Sequence, residues 1–434
     1  MADSLLTLYP AHWRSFTLGQ LCARGDADVQ VGVRVHPDPE QDEDAGVPYV
    51  MPKNLRNNRI ESEKAIARAS NLNEKQLQRY RIRRGDILCS RRGELNRCAV
   101  VGPQEEGWLC GSDCLRLRFN GNMVNPQFAY YYFNHPIVCA WINRHAVGAT
   151  LPNINESILC SMPFIIPPLA EQEKIAGILG ALDQKIALNS ATNQNLLETS
   201  RCLFQLLTEG WVPGAPVPAV AKNVPHARLR TGVLQDCCNR IENGRTPSRS
   251  EHRFWNGTIP WLTSSEIRNP VITSAETFVT QAGQMECNLR IWPRGATVVA
   301  MFGATAGQVA LLGLDASANQ ACCGLVPRTG MQYYVHLHMV TFANVLQNLS
   351  KGSAQQNLNQ RTIAEFPILI PDDSTLNEFE GKVRPLFENV IGNIRESATL
   401  IDLKKSVLPM LFSGDGRGVT RENTAYATRL LVHA

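Results

Sequence analysis

Two stretches of the chain carry apolar or small residues at alternating steps of three and four, the spacing of helices that pack along one face. The predicted seam of the first helix is Ile175, Leu179, Leu182, Ile186, Ser190, Asn193, Leu197, Ser200 and Phe204. The predicted seam of the second is Phe379, Val383, Leu386, Val390, Ile394, Ile401 and Leu408. We expect two long helices packed as an antiparallel coiled coil. Pro385 should kink the second helix or mark its effective start.

An internal repeat relates the two helices. Residues 148–167 (GATLPNINESILCSMPFIIP) match residues 352–371 (GSAQQNLNQRTIAEFPILIP) at an offset of 204, and the same offset carries one helix pattern onto the other. Both segments end in a short apolar strand closed by proline. Weaker similarities lie upstream, between 83–93 and 293–303.

The repeat predicts an α/β chain of mixed α+β type, in which two globular units alternate with two long helices around a pseudo-two-fold axis. A Pro-rich stretch without helical periodicity separates the halves. The predicted boundaries are 1–168 for the first globular unit, 169–212 for the first helix, 213–225 for the linker, 226–372 for the second unit, 373–415 for the second helix and 416–434 for a tail.

Composition narrows the class of protein. With 434 residues and 44% hydrophobic content, the chain can bury more than one core. It lacks a run of about 18 apolar residues and a secretory signal pattern, so no membrane partner is expected. The 13 cysteines are too sparse for a disulfide scaffold, so we expect reduced thiols and a cytoplasmic protein.

Charge is distributed unevenly along a chain whose formal net charge is only +4. Residues 53–97 contain 13 Lys or Arg against 5 Asp or Glu, whereas residues 169–212 contain 3 against 5. The globular units are therefore basic and the helices mildly acidic, which favours a polyanionic partner such as nucleic acid. A solvated basic face is the alternative interpretation.

Catalytic patterns are missing from the sequence. It contains no GxxxxGK[ST], HExxH or GxSxG. The NPQF segment that begins at Asn125 is similar to the Asn-Pro-Pro-aromatic motif of adenine methyltransferases, but Gln127 replaces the second proline. A cap for a short helix is the better interpretation of Asn125. A self-sufficient S-adenosylmethionine-dependent DNA-modifying enzyme stays as the alternative function.

Three segments carry further motifs: IPPLAEQEKIAGILGALDQKIALN at 166–189, NGRTPSRSEHRFWNGTIPWLTSSEI at 243–267, and LKKSVLPMLFSGD at 403–415. Together they resemble segments of type I restriction–modification specificity subunits. The first unit lacks the Gly-x-Thr-Pro element that opens the second. The resemblance implies a non-catalytic subunit in which two target recognition domains each read one half of an asymmetric, bipartite target in double-stranded DNA.

The same resemblance implies the partners. The helices would set the spacing and dock DNA adenine methyltransferase subunits, expected in two copies, and restriction/translocase subunits would then join. S-adenosylmethionine, ATP and Mg would belong to those partners, and this chain would bind no cofactor or metal of its own.

Base reading needs Arg, Asn, Gln, Ser or Thr on loops over a basic surface. The candidates in the first unit follow two predicted strands and are Lys53, Asn54, Arg56, Asn57, Arg91, Arg92, Asn96 and Arg97. Those in the second unit are Arg245, Thr246, Ser248, Arg249, Thr263, Ser264, Ser265, Glu266 and Arg268. Ordinary turn formation is the alternative for each.

Other conspicuous residues are expected to be structural. Residues matched between the repeats are poor candidates for reading two different half-sites, so turn or capping roles are expected for Asn153, Asn155, Asn357 and Asn359. Core positions are expected for Phe128, Tyr130, Tyr131 and Tyr132.

Overall fold

The computed structural model describes residues 9–34, 46–56, 59–61, 68–69, 77–148, 150–216, 229–350 and 358–413. Predictions for Asn57, Asn357, most of the linker and the tail lie outside these ranges. The chain forms two compact units: one comprises Met1–Lys185 and Leu400–Ala434, and the other comprises Ile186–Thr399.

In its described residues, the first unit combines short strands with four short α-helices. Its strands are β1 (Arg14–Thr17), β2 (Ala27–Val31), β3 (Val47–Val50), β4 (Leu55–Arg56), β5 (Arg59–Ile60), β6 (Arg68–Ala69), β7 (Ile87–Ser90), β8 (Cys98–Val100), β9 (Leu109–Cys110), β10 (Cys114–Phe119) and β11 (Pro163–Ile166). Its short helices are α1 (Leu18–Ala23), α2 (Pro126–Phe133), α3 (Pro136–His145) and α4 (Glu156–Cys160).

The main sheet of this unit has the order β2-β10-β7-β8 and is antiparallel. Strand β10 alternates in sequence, so Leu115 and Leu117 lie in the core beneath the helices while arginines lie on the other face. Arg118 is held there by a bidentate pair with the buried Asp86, at 2.7 and 2.6 Å. The alternation thus specifies which face of the sheet is covered by helices.

The second unit contains a similar set of elements. Its strands are β12 (Leu229–Val233), β13 (Cys238–Asn243), β14 (Trp255–Leu262), β15 (Val271–Ile272), β16 (Thr277–Val279), β17 (Thr297–Ala300), β18 (Val309–Leu312), β19 (Ser317–Ala318), β20 (Cys322–Pro327) and β21 (Pro367–Pro371). Its short helices are α6 (Leu234–Cys237), α7 (Gln281–Glu286), α8 (Gln332–Thr341), α9 (Ala343–Ser350) and α10 (Gln360–Ala364).

Sheet topology reveals how far the duplication extends. The order β13-β20-β17-β18 of the second unit corresponds to β2-β10-β7-β8 of the first, with β15 added at the edge. The antiparallel pairs β1-β11 and β12-β21 also correspond, as do the parallel pairs β3-β9 and β14-β19. The repeat therefore covers the globular units as well as the helices.

The two long helices run from Leu169 to Leu207 (α5) and from Asp373 to Phe412 (α11). Both end before the predicted limits, since residues 212 and 415 lie beyond them. Pro385 lies in the interior of α11, so the expectation that it marks the start of the helix is wrong. Its side chain is exposed.

In the first unit, the beginning of α5 packs against the end of α11. Lys404 forms an ion pair with both carboxylate oxygens of Asp183, at 2.6 and 2.8 Å, and the Tyr131 hydroxyl donates to the same carboxylate at 2.8 Å. Closer to the start of α5, Trp13 donates to Glu171 at 3.0 Å and its ring lies 6.4 Å from that of Phe412. The two helix segments are therefore antiparallel.

In the second unit, the remaining segments of the helices are also antiparallel and meet at a polar cluster. Asn189 donates to the Ser397 hydroxyl at 3.2 Å, and Asn393 donates to the Asn193 side chain at 2.8 Å. The repeat offset of 204 exchanges Asn189 with Asn393 and Asn193 with Ser397. These two hydrogen bonds are therefore two copies of one contact, related by a local pseudo-two-fold. Asn189 is buried and the other three residues are half-buried, and polar pairs at such positions fix helix register.

Burial corrects part of the predicted seam. Ser190 is exposed and Asn189 is buried in its place, while Leu400 is buried and Ile401 is 41% exposed. Leu386 is only half-buried, because Phe387 beside it fills the core. Straight helices of 3.6 residues per turn drift from a 3.5-residue seam, which accounts for these single-residue shifts.

Each unit's core includes an aromatic ring carried by a long helix. In the first unit the Phe412 ring lies 5.2 Å from Phe128 and 6.0 Å from Tyr132. In the second, the Phe204 ring lies 5.3 Å from Tyr334 and 6.2 Å from His338. Truncating such rings typically costs about 3–5 kcal/mol of folding free energy, so the helices are part of both cores.

Within the described ranges, no helix is long and apolar enough to cross a membrane. The same residues contain no group of three or more potential metal ligands, and all 13 cysteines are free. Burial raises the pKa of Cys110 to about 12, so this residue is a thiol at neutral pH.

We predict that Gly324→Ala destabilises the second unit by about 1–3 kcal/mol. A Cβ at Gly324 would lie 2.2 Å from the fully buried Trp292 ring, which has no room to move. Gly381→Ala is the control, because nothing lies within 4 Å of its Cβ in the exposed face of α11, and it should stabilise the protein by about 0.5–1 kcal/mol. Urea unfolding followed by circular dichroism measures both; a neutral Gly324→Ala would contradict this packing.

We further predict that His338 makes the second unit acid-sensitive. Burial among aromatic rings lowers the pKa of His338 from 6.5 to about 3. The unfolded chain therefore binds the proton first, and stability falls as the pH drops below about 6.5, by about 2 kcal/mol at pH 5 for this residue. His338→Phe should reduce the loss between pH 7.5 and 5 by that amount in urea titrations. An equal loss in both proteins would refute the assignment.

Candidate nucleic-acid interface

The Gly244 loop (residues 244–250) follows β13 in the second unit and is held by close backbone packing. Gly244 donates to the Cys322 carbonyl at 2.9 Å and Arg245 donates to the Ala318 carbonyl at 2.8 Å. A Cβ at Gly244 would lie 2.3 Å from the carbonyl oxygens of Ala318 and Asn319, so only glycine fits. This close approach explains the glycine that opens the Gly-x-Thr-Pro element.

Two tryptophans of β14 orient the same loop. The Trp261 indole donates to the Arg245 carbonyl at 2.9 Å, and the Trp255 indole donates to the Ser248 carbonyl at 3.0 Å. The Arg249 guanidinium lies 4.0 Å from the Trp255 ring centroid and 5.1 Å from that of Trp261. These contacts hold the backbone while Arg245, Thr246, Ser248 and Arg249 stay exposed.

Thr246 and Ser248 make further polar contacts on the surface of this loop. The Thr246 hydroxyl is hydrogen-bonded to Gln320, an exposed residue in the turn between β19 and β20. The Ser248 and Ser250 hydroxyls lie 2.7 Å apart. The structure therefore adds Gln320 to the predicted cluster. Little in the sequence points to this residue, because β19 has only two residues and shows no alternation.

The second predicted cluster forms a short 3-10 helix, Ser264–Arg268, after β14. Glu266 caps it by accepting from the Thr263 backbone at 2.7 Å and from the Thr263 hydroxyl at 3.0 Å, and Ser265 lies within hydrogen-bonding distance of that hydroxyl. Ser264 is half-buried, whereas Arg268 is exposed. Capping thus occupies Thr263 and Glu266, which fits the turn-forming alternative for these two residues.

The first unit builds the same loop framework without the Thr-Pro sequence. Gly32 donates to the Cys114 carbonyl at 3.1 Å, and Val33 donates to the Cys110 carbonyl at 2.8 Å. A Cβ at Gly32 would lie 2.1 Å from the Gly111 carbonyl oxygen. Gly32 is therefore the counterpart of Gly244, and the glycine of the element is present after all. Arg34, which the sequence analysis missed, stands where the second unit has Thr246.

The Lys53 cluster follows β3. Lys53 is exposed in a short 3-10 helix, Pro52–Asn54, and Arg56 is exposed on β4. Asn54 is only 4% exposed, and its side-chain oxygen accepts from the Met51 backbone at 3.0 Å. This burial supports a turn-forming role for Asn54 and leaves the two basic residues as the accessible candidates.

The Arg91 loop (residues 91–97) follows β7. Arg91 is half-buried and donates to the Ser112 carbonyl at 3.3 Å, while Arg92 is half-exposed with its guanidinium 3.4 Å from the Asp113 carboxylate. Arg97 donates to Glu94, which lowers the pKa of that carboxyl, and to the Pro52 carbonyl at 3.3 Å. Asn96 is exposed and accepts from Asn143 at the end of α3.

These hydrogen bonds bring the predicted clusters together at one end of each unit. In the first unit, Arg97 connects the Arg91 loop to the Lys53 cluster, and Arg92 connects it to the turn after β9. In the second, the 3-10 helix Ser264–Arg268 packs against the turn after β17, and Thr246 reaches the turn after β19. The loops that follow equivalent strands therefore form one surface in each unit, with different side chains on it.

Several residues expected to be structural cap helices or lie in the core. Asn155 caps α4 and Asn359 caps α10, each accepting from a backbone N–H at 2.8 Å. Asn125 caps α2 by accepting from the N–H groups of Gln127 and Phe128, as predicted for the NPQF segment. The aromatic residues of α2 are buried. The capping oxygen of Asn125 is thus already used within the fold.

Relatives of the chain are described as specificity subunits of type I restriction enzymes. It is 23% identical over 400 residues to the type I restriction enzyme HindI specificity subunit of Haemophilus influenzae, covering 77% of this chain and 87% of that protein. It is 27% identical over 168 residues to the MjaIX specificity subunit of Methanocaldococcus jannaschii, covering 37% and 38%. These relatives agree with the prediction of a specificity subunit as opposed to a catalytic one.

The fold is also similar to a solved structure. A crystal structure of a type I restriction–modification S subunit from M. genitalium matches with a TM-score of 0.58 and 15% sequence identity, covering 92% of this chain and 96% of that one. This likeness confirms the predicted fold class of two mixed α/β units with two long helices.

The family match covers both halves of the chain. The description "type I restriction modification DNA specificity domain" fits residues 10–198 and 231–378, which include both candidate interfaces. The predicted resemblance is thereby confirmed, and the chain belongs to the family of type I restriction–modification DNA specificity domains.

Proposed function

We propose that the chain is the non-catalytic DNA-specificity subunit of a cytoplasmic type I restriction–modification complex. Its two recognition domains, placed at 1–168 and 226–372, each read one half of an asymmetric bipartite target. The long helices set the spacing and dock methyltransferase subunits, two copies being expected, and restriction/translocase subunits then join. S-adenosylmethionine, ATP and Mg²⁺ are held by those partners.

The proposal rests mainly on one observation: the two units hold corresponding loops with the same backbone contacts, but these loops carry different side chains. Gly32 and Gly244 make the same backbone contacts, and the loops beside them carry unlike residues, such as Arg34 in one unit and Thr246 in the other. A framework repeated with altered contact residues is what two different half-sites require.

Charge supports a DNA partner for these surfaces. Lys53, Arg245 and Arg268 are exposed, and the basic segment 53–97 provides a local excess of positive charge. Contacts from such residues to phosphates supply most of the affinity and fix the register, while neighbouring polar groups read bases. Among the predicted contact residues, the best candidates for phosphate or base contacts are those whose side chains do not cap helices or form turns.

Exposed apolar residues on the long helices support protein docking. Leu188 is 55% exposed and Leu206 is 50% exposed in the second unit, and Ile401 is 41% exposed in the first. Apolar side chains outside the cores, on otherwise mildly acidic helices, are suited to a protein partner. No observation favours the alternative of a self-sufficient enzyme.

We predict one bipartite methylation motif when the chain is co-expressed with its methyltransferase subunit. Genome-wide mapping of methylated adenine should show two unlike half-sites separated by a fixed spacer. A continuous short motif, or none with an active partner, would refute the proposal. Binding of S-adenosylmethionine by the purified chain alone would instead support the alternative function.

We also predict that matched insertions in both long helices change the spacer. Seven residues placed after Ala187 and seven after Ala398 add about 10 Å to each helix while preserving the Asp183–Lys404 pair and the Asn189 cluster. The spacer should lengthen by about three base pairs, at about 3.4 Å each. If methylation mapping finds the original spacer, the helices do not set it.

A further inference from the structure

One loop position differs in chemistry between the two units although its backbone is the same. Arg91 donates its N–H to the Asp113 carbonyl at 2.9 Å, and Met301 donates to the Ala321 carbonyl at 2.8 Å in the equivalent place. Two residues later, Gly93 and Gly303 both have a left-handed φ, 74° and 69°. The residues between these markers, Arg92 and Phe302, are therefore structural counterparts.

The two side chains present different chemical groups, one polar and one apolar. The Arg92 side chain is 50% exposed and presents N–H donors beside Asp113. Phe302 is 38% exposed and presents a phenyl ring. The preceding residue, Met301, is the one that packs in the core. It is buried, and its carbonyl accepts a hydrogen bond from the Leu358 backbone N–H at 2.9 Å. Part of Phe302 is covered by the unit, but more than a third of it stays accessible to a partner.

The surroundings of Phe302 belong to the candidate interface. Its loop packs against the 3-10 helix Ser264–Arg268, and Met301 is hydrogen-bonded to the turn that carries Gln320. The loop backbone is ordered by hydrogen bonds: Thr305 donates to the Phe302 carbonyl at 3.3 Å, and Gly307 donates to the Ala300 carbonyl at 2.8 Å. Phe302 therefore lies on a hydrogen-bonded turn that packs beside the polar 3-10 helix Ser264–Arg268.

We propose that Phe302 is a specificity-determining residue that contacts the 5-methyl group of one thymine in the half-site read by the second unit. This inference rests on the proposed function. A phenyl ring makes no hydrogen bond to a base edge, and the thymine methyl is the one apolar group that base edges present in the major groove. Arg92 at the same position offers hydrogen bonds to a different base, so this position contributes to the asymmetry of the target.

Uracil substitution tests this contact by removing one thymine methyl group at a time. The chain is purified with its methyltransferase subunit, and each thymine of the mapped target is replaced in turn by uracil, which lacks only the methyl group. For the native chain, one replacement should weaken binding about threefold to fivefold, as expected for one buried methyl. With Phe302→Ala, that same replacement should have no effect.

Met285→Ala is the matched control. Met285 is 72% exposed on α7 of the same unit, outside the candidate loops, so its truncation should keep the uracil penalty unchanged. A penalty that persists in Phe302→Ala, or a native complex indifferent to every uracil, overturns the inference. Either result leaves the bipartite motif intact, whereas failure of the proposed function would remove the motif itself.

Discussion

The fold depends on aromatic rings that long helices insert into cores built mainly by other parts of the chain. Phe412, near the end of α11, packs on α2 of the first unit, and Phe204, near the end of α5, packs on α8 of the second. Each globular unit is therefore completed by a helix that follows, in sequence, the other unit's strands. Helix pairing and domain folding are coupled, because removing either helix opens a core.

Because of this coupling, the two long helices can pair in only a few registers. In the observed register, Asn189 is hydrogen-bonded to Ser397 and Asn393 is hydrogen-bonded to Asn193. A slip by one turn would leave the buried Asn189 amide without these partners, which costs about 1–3 kcal/mol. The apolar seam supplies most of the stabilisation, while the polar cluster selects one alignment.

Sequence patterns predicted the repeat, the two helices and the strand-closing prolines, because periodicity and spacing record them directly. They failed where a residue's role depends on contacts with residues that are distant in sequence. Gly32 was missed because its role, close packing on the Gly111 carbonyl, leaves no motif once Thr-Pro is lost. Phe302 was missed because it continues an apolar stretch, and exposure at a turn is invisible in sequence. The Ile401 error came from helix drift, which only packing resolves.

Two equivalent surfaces with unlike side chains should contact two separate segments of one DNA duplex. Hydroxyl-radical footprinting of the chain, assembled with its methyltransferase subunit on the mapped target, tests this central claim most directly. We expect two protected segments separated by an accessible spacer, with Arg245→Ala combined with Arg268→Ala weakening protection of one segment only. One continuous footprint, or equal loss over both segments, would contradict it.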